Sequence, residues 1–118
     1  MGYESKVIIV ERVEFGSGHV AGIEVAQVNM CKMGYGNGFH ELFDTPIDFD
    51  LYGMDDEPTR EDEYGDHCGM TNIGTLVDWL REAVEHDDYR RLKPLLGLLE
   101  GFDVNQWNDE LVAVHYGY

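Results

Sequence analysis

Residues 41–66 hold eleven acids, Glu41, Asp44, Asp48, Asp50, Asp55, Asp56, Glu57, Glu61, Asp62, Glu63 and Asp66, against one base, Arg60. A stretch of that charge density cannot bury much of itself, because a carboxylate removed from water needs a partner. The core therefore has to come from the flanking chain, and the acidic third has little core of its own. Its best contribution is a short half-buried strand over residues 46–53, PIDFDLYG, where Ile47, Phe49 and Leu51 alternate with Asp48 and Asp50.

The flanks supply what the middle lacks. Residues 3–15, YESKVIIVERVEF, read as a strand with Val7, Ile9, Val13 and Phe15 on one face and Ile8 and Val10 on the other. The glycines of GSGHVAG turn the chain into a second strand over residues 20–32, VAGIEVAQVNMCK, and a hairpin is the natural join. After the polar, turn-rich residues 54–70, Thr71 or Asn72 is placed to cap a helix running to about Glu85, with an apolar stripe of Ile73, Leu76, Val77, Leu80, Ala83 and Val84. A second helix, capped by Asp88, carries Leu92, Leu95, Leu96 and Leu99 on one side and stops at Gly101. The segment ELVAVHYGY closes the fold as a strand. The order β-β-β-α-α-β predicts an α+β fold: an antiparallel sheet of three to four strands with two helices packed on one face, formed by residues 1–118 as a single domain.

The whole chain carries 24 acids and 8 bases, a net charge of −16 with histidines neutral. Such a field repels nucleic acid and anionic membrane and attracts basic surfaces. The longest aliphatic run, VIIV at residues 7–10, is far too short to span a bilayer, and the N-terminal segment has no secretory pattern. Two cysteines are too few for a disulfide framework. The expected setting is the cytoplasm.

Three kinds of chemistry are open to the acidic segment. In the first, its carboxylates and its aromatics (Phe43, Phe49, Tyr52, Tyr64) form a surface for a basic partner, with Asp55, Asp56, Glu57, Glu61, Asp62, Glu63 and Tyr64 as the contact residues. In the second, Cys31, His40, His67 and Cys68 provide a Cys2His2 donor set for a structural zinc. That set matches no finger or ribbon spacing, and the competing reading leaves Cys31 at a strand end with His40 and His67 on the surface. The third is a small metal- or cysteine-dependent enzyme built on Cys68 and a histidine base, for which no orienting group is identifiable. The stretch from Asp48 to Thr59 begins like a calcium loop but has Tyr52 and Thr59 where oxygen ligands belong. The glycine-rich GYGNG lacks the Lys and Ser/Thr of a phosphate loop. No catalytic residue is assigned.

In its acidic, aromatic-bearing segment 41–66 and its compact β-β-β-α-α-β layout, the chain resembles the small acidic inhibitor proteins of bacteriophages, in particular anti-CRISPR proteins directed at Cas9. The resemblance is one of overall profile. It implies a non-catalytic protein, acting in the host bacterial cytoplasm, that binds a CRISPR effector nuclease and blocks nucleic-acid loading or target binding. Such effectors hold nucleic acid in positively charged channels, an electrostatic target for an acidic ligand. Some members of that broad group bind metal, which would suit the Cys/His set. An immunity protein that neutralises a nuclease toxin obeys the same physics and is the alternative.

Overall fold

The computed structural model describes residues 5–16, 18–30, 39–52, 59–86, 91–102 and 111–117. Its strands are β1 (Ser5–Glu14), β2 (Val20–Asn29), β3 (Thr45–Pro46), β4 (Asp50–Tyr52), β5 (Gly69–Asn72) and β6 (Leu111–Gly117). The helices are α1 (Ile73–His86) and α2 (Leu92–Glu100), with a short 3-10 turn at His40–Phe43. All six strands belong to one sheet in the order β3-β5-β6-β1-β2-β4. The class is α+β, as expected.

β1 lies inside the sheet and is buried on both sides, which its near-continuous run of β-branched residues suits. Val7 and Ile9 join Leu111 and Ala113 of β6 in a core that Ile73, Leu76, Val77 and Leu80 of α1 and Leu92, Leu95 and Leu99 of α2 complete. Both helices thus pack on one face of the sheet. Asn72 caps α1 by accepting a hydrogen bond from the Thr75 N–H at 2.7 Å. Pro94 sits in the first turn of α2, where its missing N–H is not needed. At the other end, the Gly101 N–H bonds back to the carbonyls of Leu98 and Leu99. The expected Asp88 cap lies outside the described residues.

The opposite face, with Ile8, Val10, Val114 and Tyr116, is covered by the chain itself: Ile47, Phe49, Leu51 and Cys68 fill a second buried cluster against it. The reason is geometric. β3 and β4 stand at opposite ends of the strand order, yet only residues 47–49 separate them. In a flat sheet, five inter-strand gaps of ~4.8 Å would set them about 24 Å apart. Four extended residue steps reach at most about 14 Å. The sheet must therefore curl, and residues 59–61 stitch its edges together. Leu51 and Thr59 exchange backbone hydrogen bonds of 2.8 and 3.1 Å, the Cys68 N–H donates to Arg60 O at 2.9 Å, and the Ile47 N–H donates to Cys68 O at 3.0 Å. Backbone pairing then runs round the whole ring, and the second cluster is its interior.

Gly22 of β2 faces that interior. A Cβ there would press on the Phe49 ring, falling 2.6 Å from its Cδ2. The glycine makes room for the aromatic plug.

The expected antiparallel sheet of three to four strands needs two corrections. The described residues form six strands, and β2 and β4 run parallel, with Ala21, Gly22 and Ile23 beside Asp50, Leu51 and Tyr52. The single strand expected at residues 46–53 is divided into β3 and β4 by the crossover, so its apolar alternation marks a strap lying over the sheet. β5, Gly69-Met70-Thr71-Asn72, is a strand because β6 pairs with all of it, not through intrinsic preference.

Candidate functional site: the acidic turn

Within the acidic segment, residues 61–67 form a compact projecting turn. Its base is an antiparallel bridge between Glu61 and His67. The Asp62 N–H donates to Asp66 O at 2.9 Å and the Gly65 N–H to Asp62 O at 3.1 Å. The Asp62 carboxylate accepts from the Tyr64 N–H at 2.9 Å and the Asp66 N–H at 3.1 Å, fixing the turn from inside. Gly65, at φ 83°, takes the left-handed conformation that the reversal needs. The Glu63 N–H bonds to Gly117 O at 3.1 Å and anchors the turn to β6.

The expected contact residues therefore divide. Glu61 and Glu63 are exposed, and Tyr64 is 48% exposed at the tip. Asp62 is half-buried and acts as the organiser of the turn. Asp66, not among the expected contacts, is exposed beside them. Asp55, Asp56 and Glu57 lie outside the described residues.

Two further acids of the segment are engaged within the molecule. Asp48 pairs with Arg12 at 3.3 Å, and the Arg12 guanidinium also lies 5.6 Å from the centre of the Phe49 ring. Asp50 pairs with Arg60 at 2.9 Å and approaches His19 at 3.6 Å. These carboxylates hold the strap to the barrel, whereas Glu41 and Asp44 of the same segment are exposed, as are Glu61, Glu63 and Asp66 of the turn.

The members of the proposed zinc set that the structure describes are not brought together. Cys68 is 2% exposed and belongs to the barrel interior. His67 is exposed, with its Nε2 3.1 Å from the Ile47 carbonyl oxygen. Neighbours in an extended segment point to opposite sides, so a single ion cannot take both without unpicking this edge of the barrel. Cys31 and the His40 side chain lie outside the described residues. Among the described residues no group of three or more His, Cys, Asp or Glu side chains gathers as an ion site. Burial, reinforced by the charges of Asp62, Asp66 and Glu61, pushes the Cys68 thiol up to about 12. A thiol held protonated in an apolar interior is a poor nucleophile.

A second surface escaped the sequence reading. Phe15, expected to share a face with Val7 and Ile9, is 44% exposed, and Ile23 and Val25 of β2 are 37% and 47% exposed. Phe15 immediately precedes the GSG turn and lies past the end of β1, which was the available signal. No described helix is long and apolar enough to cross a membrane. No family model, curated protein or solved structure matches the chain.

Proposed function

We propose that this chain is a non-catalytic inhibitor that binds a basic surface on a nucleic-acid-handling protein. A Cas9-type nuclease is the specific target, and obstruction of nucleic-acid loading or target binding is the mode of action. The observation that carries this reading is the acidic turn: exposed Glu61, Glu63 and Asp66 around exposed Tyr64, on a backbone already held by Asp62. A turn so fixed loses little conformational freedom on docking, and its acids steer a basic partner in a chain of net charge −16. Tyr64 supplies contact area at low entropic cost. The reading does not draw on a metal.

The test is target cleavage by a purified Cas9–guide complex in the presence of the protein. Substituting Glu61→Lys, Glu63→Lys and Asp66→Lys together should weaken inhibition by about tenfold or more, and inhibition of the native protein should fall steeply with salt. Reversing Asp55, Asp56 and Glu57 as well should deepen the loss. Undiminished inhibition by the reversed protein would remove the acidic turn from the mechanism. Neutralisation of a nuclease toxin, with Cas9 unaffected, would transfer the protein to the immunity class.

A further inference from the structure

The turn between β1 and β2 brings His19 against β4. The Phe15 N–H donates to His19 O at 2.8 Å and the Gly18 N–H to Phe15 O at 2.9 Å, so the turn that carries His19 is closed by its own backbone. The imidazole stacks on the Phe15 ring, with centroids 6.0 Å apart and planes 8° from parallel. Its Nε2 lies 3.6 Å from Asp50 Oδ2 and 3.5 Å from the Tyr52 hydroxyl oxygen. Asp50 and Tyr52 are alternate residues of β4 and so share a face. The other carboxylate oxygen, Asp50 Oδ1, accepts from Arg60 Nε at 2.9 Å, which leaves Oδ2 to the imidazole. An imidazole nitrogen, a carboxylate oxygen and a phenol oxygen thus converge from two elements. The His19 and Asp50 side chains are 40% and 29% exposed, so the place where they meet is open to solvent.

These separations are long for hydrogen bonds, which lie at ~2.7–3.2 Å. They suit donors that share one ion: two atoms each ~2.0–2.1 Å from a metal, at an angle of ~110–120°, stand ~3.3–3.6 Å apart. We propose that His19, Asp50 and Tyr52 form an open site for a divalent transition ion, Zn2+ or Cu2+, with water completing the shell. The donor set selects that class. Calcium and magnesium take oxygen ligands and would leave the imidazole unused, whereas imidazole with oxygen donors suits zinc and copper. Arg60 on the carboxylate and Phe15 on the imidazole hold the two ligands in place, as outer-shell neighbours of a metal do. The net charge of −16 raises the local concentration of cations. The site shares no residue with the set Cys31, His40, His67 and Cys68. A bound ion would clasp the β1–β2 turn to β4, whose pairing with β2 extends only over Ala21, Gly22 and Ile23. The site stands whether or not the protein inhibits a nuclease.

The test titrates Zn2+ into the isotopically labelled full chain, in a Cys31→Ser background, and follows binding by nuclear magnetic resonance. Zn2+ should bind with a Kd below about 100 μM and shift the His19 imidazole and the amides of residues 18–23 and 50–52. His19→Gln and Asp50→Asn, with folds confirmed by circular dichroism, should each weaken binding about tenfold or more, whereas His67→Gln should leave it unchanged. Cu2+ should displace the Tyr52 phenol proton to the buffer and give a phenolate-to-copper charge-transfer band in the visible, lost in Tyr52→Phe. A weaker Kd, shifts confined to residues 61–68, or full affinity in His19→Gln would overturn the site. A Cu2+ complex without that band would overturn Tyr52 as a ligand.

Discussion

Replacing Gly22 with Ala should destabilise the protein only while Phe49 is present. The backbone at Gly22 is not in the left-handed region, so alanine is conformationally acceptable, and in a strand it is favoured over glycine by ~0.5–1 kcal/mol. Against this stands the new methyl, which would fall 2.6 Å from Phe49 Cδ2, about 1 Å inside ordinary contact, while Leu51 Cδ2 at 3.5 Å is no obstacle. Overpacking of this kind costs ~1–3 kcal/mol, so Gly22→Ala alone should lose about 0.5–2 kcal/mol. Phe49→Ala should lose ~3–5 kcal/mol, because it removes a fully buried ring from the barrel interior. In the double variant the clash has gone and the added methyl occupies part of the vacated space. Its stability should then match or exceed that of Phe49→Ala, a coupling of ~1–3 kcal/mol of less-than-additive sign. Urea unfolding followed by far-ultraviolet circular dichroism, with m-values compared across the four proteins, measures the cycle. Additivity within about 0.5 kcal/mol would refute the placement of the ring over Gly22, and with it the strap as filler of the barrel.

Other expectations concern groups whose roles the fold separates. In a Cys31→Ser background, Cys68 should react with a disulfide reagent at pH 8 about 100-fold or more slowly in the native than in the urea-unfolded protein; comparable rates would contradict a buried thiol. The same group sets an alkaline dependence. The thiol titrates near 9.0 when unfolded and about 12 when folded, so below pH 9 both states keep the proton and there is no effect. Between those values only the unfolded state releases it, and stability should fall by ~1.4 kcal/mol per pH unit, a slope that Cys68→Ala should lack. Asp62→Ala should cost ~1–2 kcal/mol by stranding the Tyr64 and Asp66 amides, whereas Asp62→Asn, which keeps the acceptor oxygen, should cost less than half of that. Equal losses in urea unfolding would show that the charge, not the turn, is what Asp62 contributes.

Local patterns in the sequence were legible wherever burial follows a period. The alternation in β1 from Val7 to Val10, the stripes of α1 and α2, the Asn72 cap and the Gly101 stop all depend on near neighbours, and each holds in the structure, whereas Val13 and Phe15 lie beyond the core. Closure of the ring was not legible, because it depends on pairings between residues distant in the chain. Thr45–Pro46 and Gly69–Asn72 carry no strand pattern of their own; each is extended because a neighbouring strand supplies its partners. The acidic turn was legible as charge but not as architecture. Nothing in the composition distinguishes Asp62, which builds the turn, from Glu61 and Glu63, which face outward. Likewise the adjacency of His67 and Cys68 suggested a joint donor pair, whereas the extended backbone assigns one to solvent and the other to the interior.

The antiparallel pairing of β1 with β6, from Ser5 opposite Gly117 to Glu11 opposite Leu111, has a consequence for biosynthesis. β6 stands between β5 and β1 in the sheet, so until it leaves the ribosome the β3–β5 edge cannot join the β1–β2 hairpin through it. At elongation rates of ~5–20 residues per second, the hairpin waits for several seconds with one edge open and its isoleucines and valines uncovered. Residues 1–40 carry four acids against three bases, so it is the acidic segment 41–66, made while the hairpin still waits, that brings mutual repulsion between nascent copies and protects the open edge before the fold can. The charge that the acidic turn displays on the finished protein thus also guards it during synthesis.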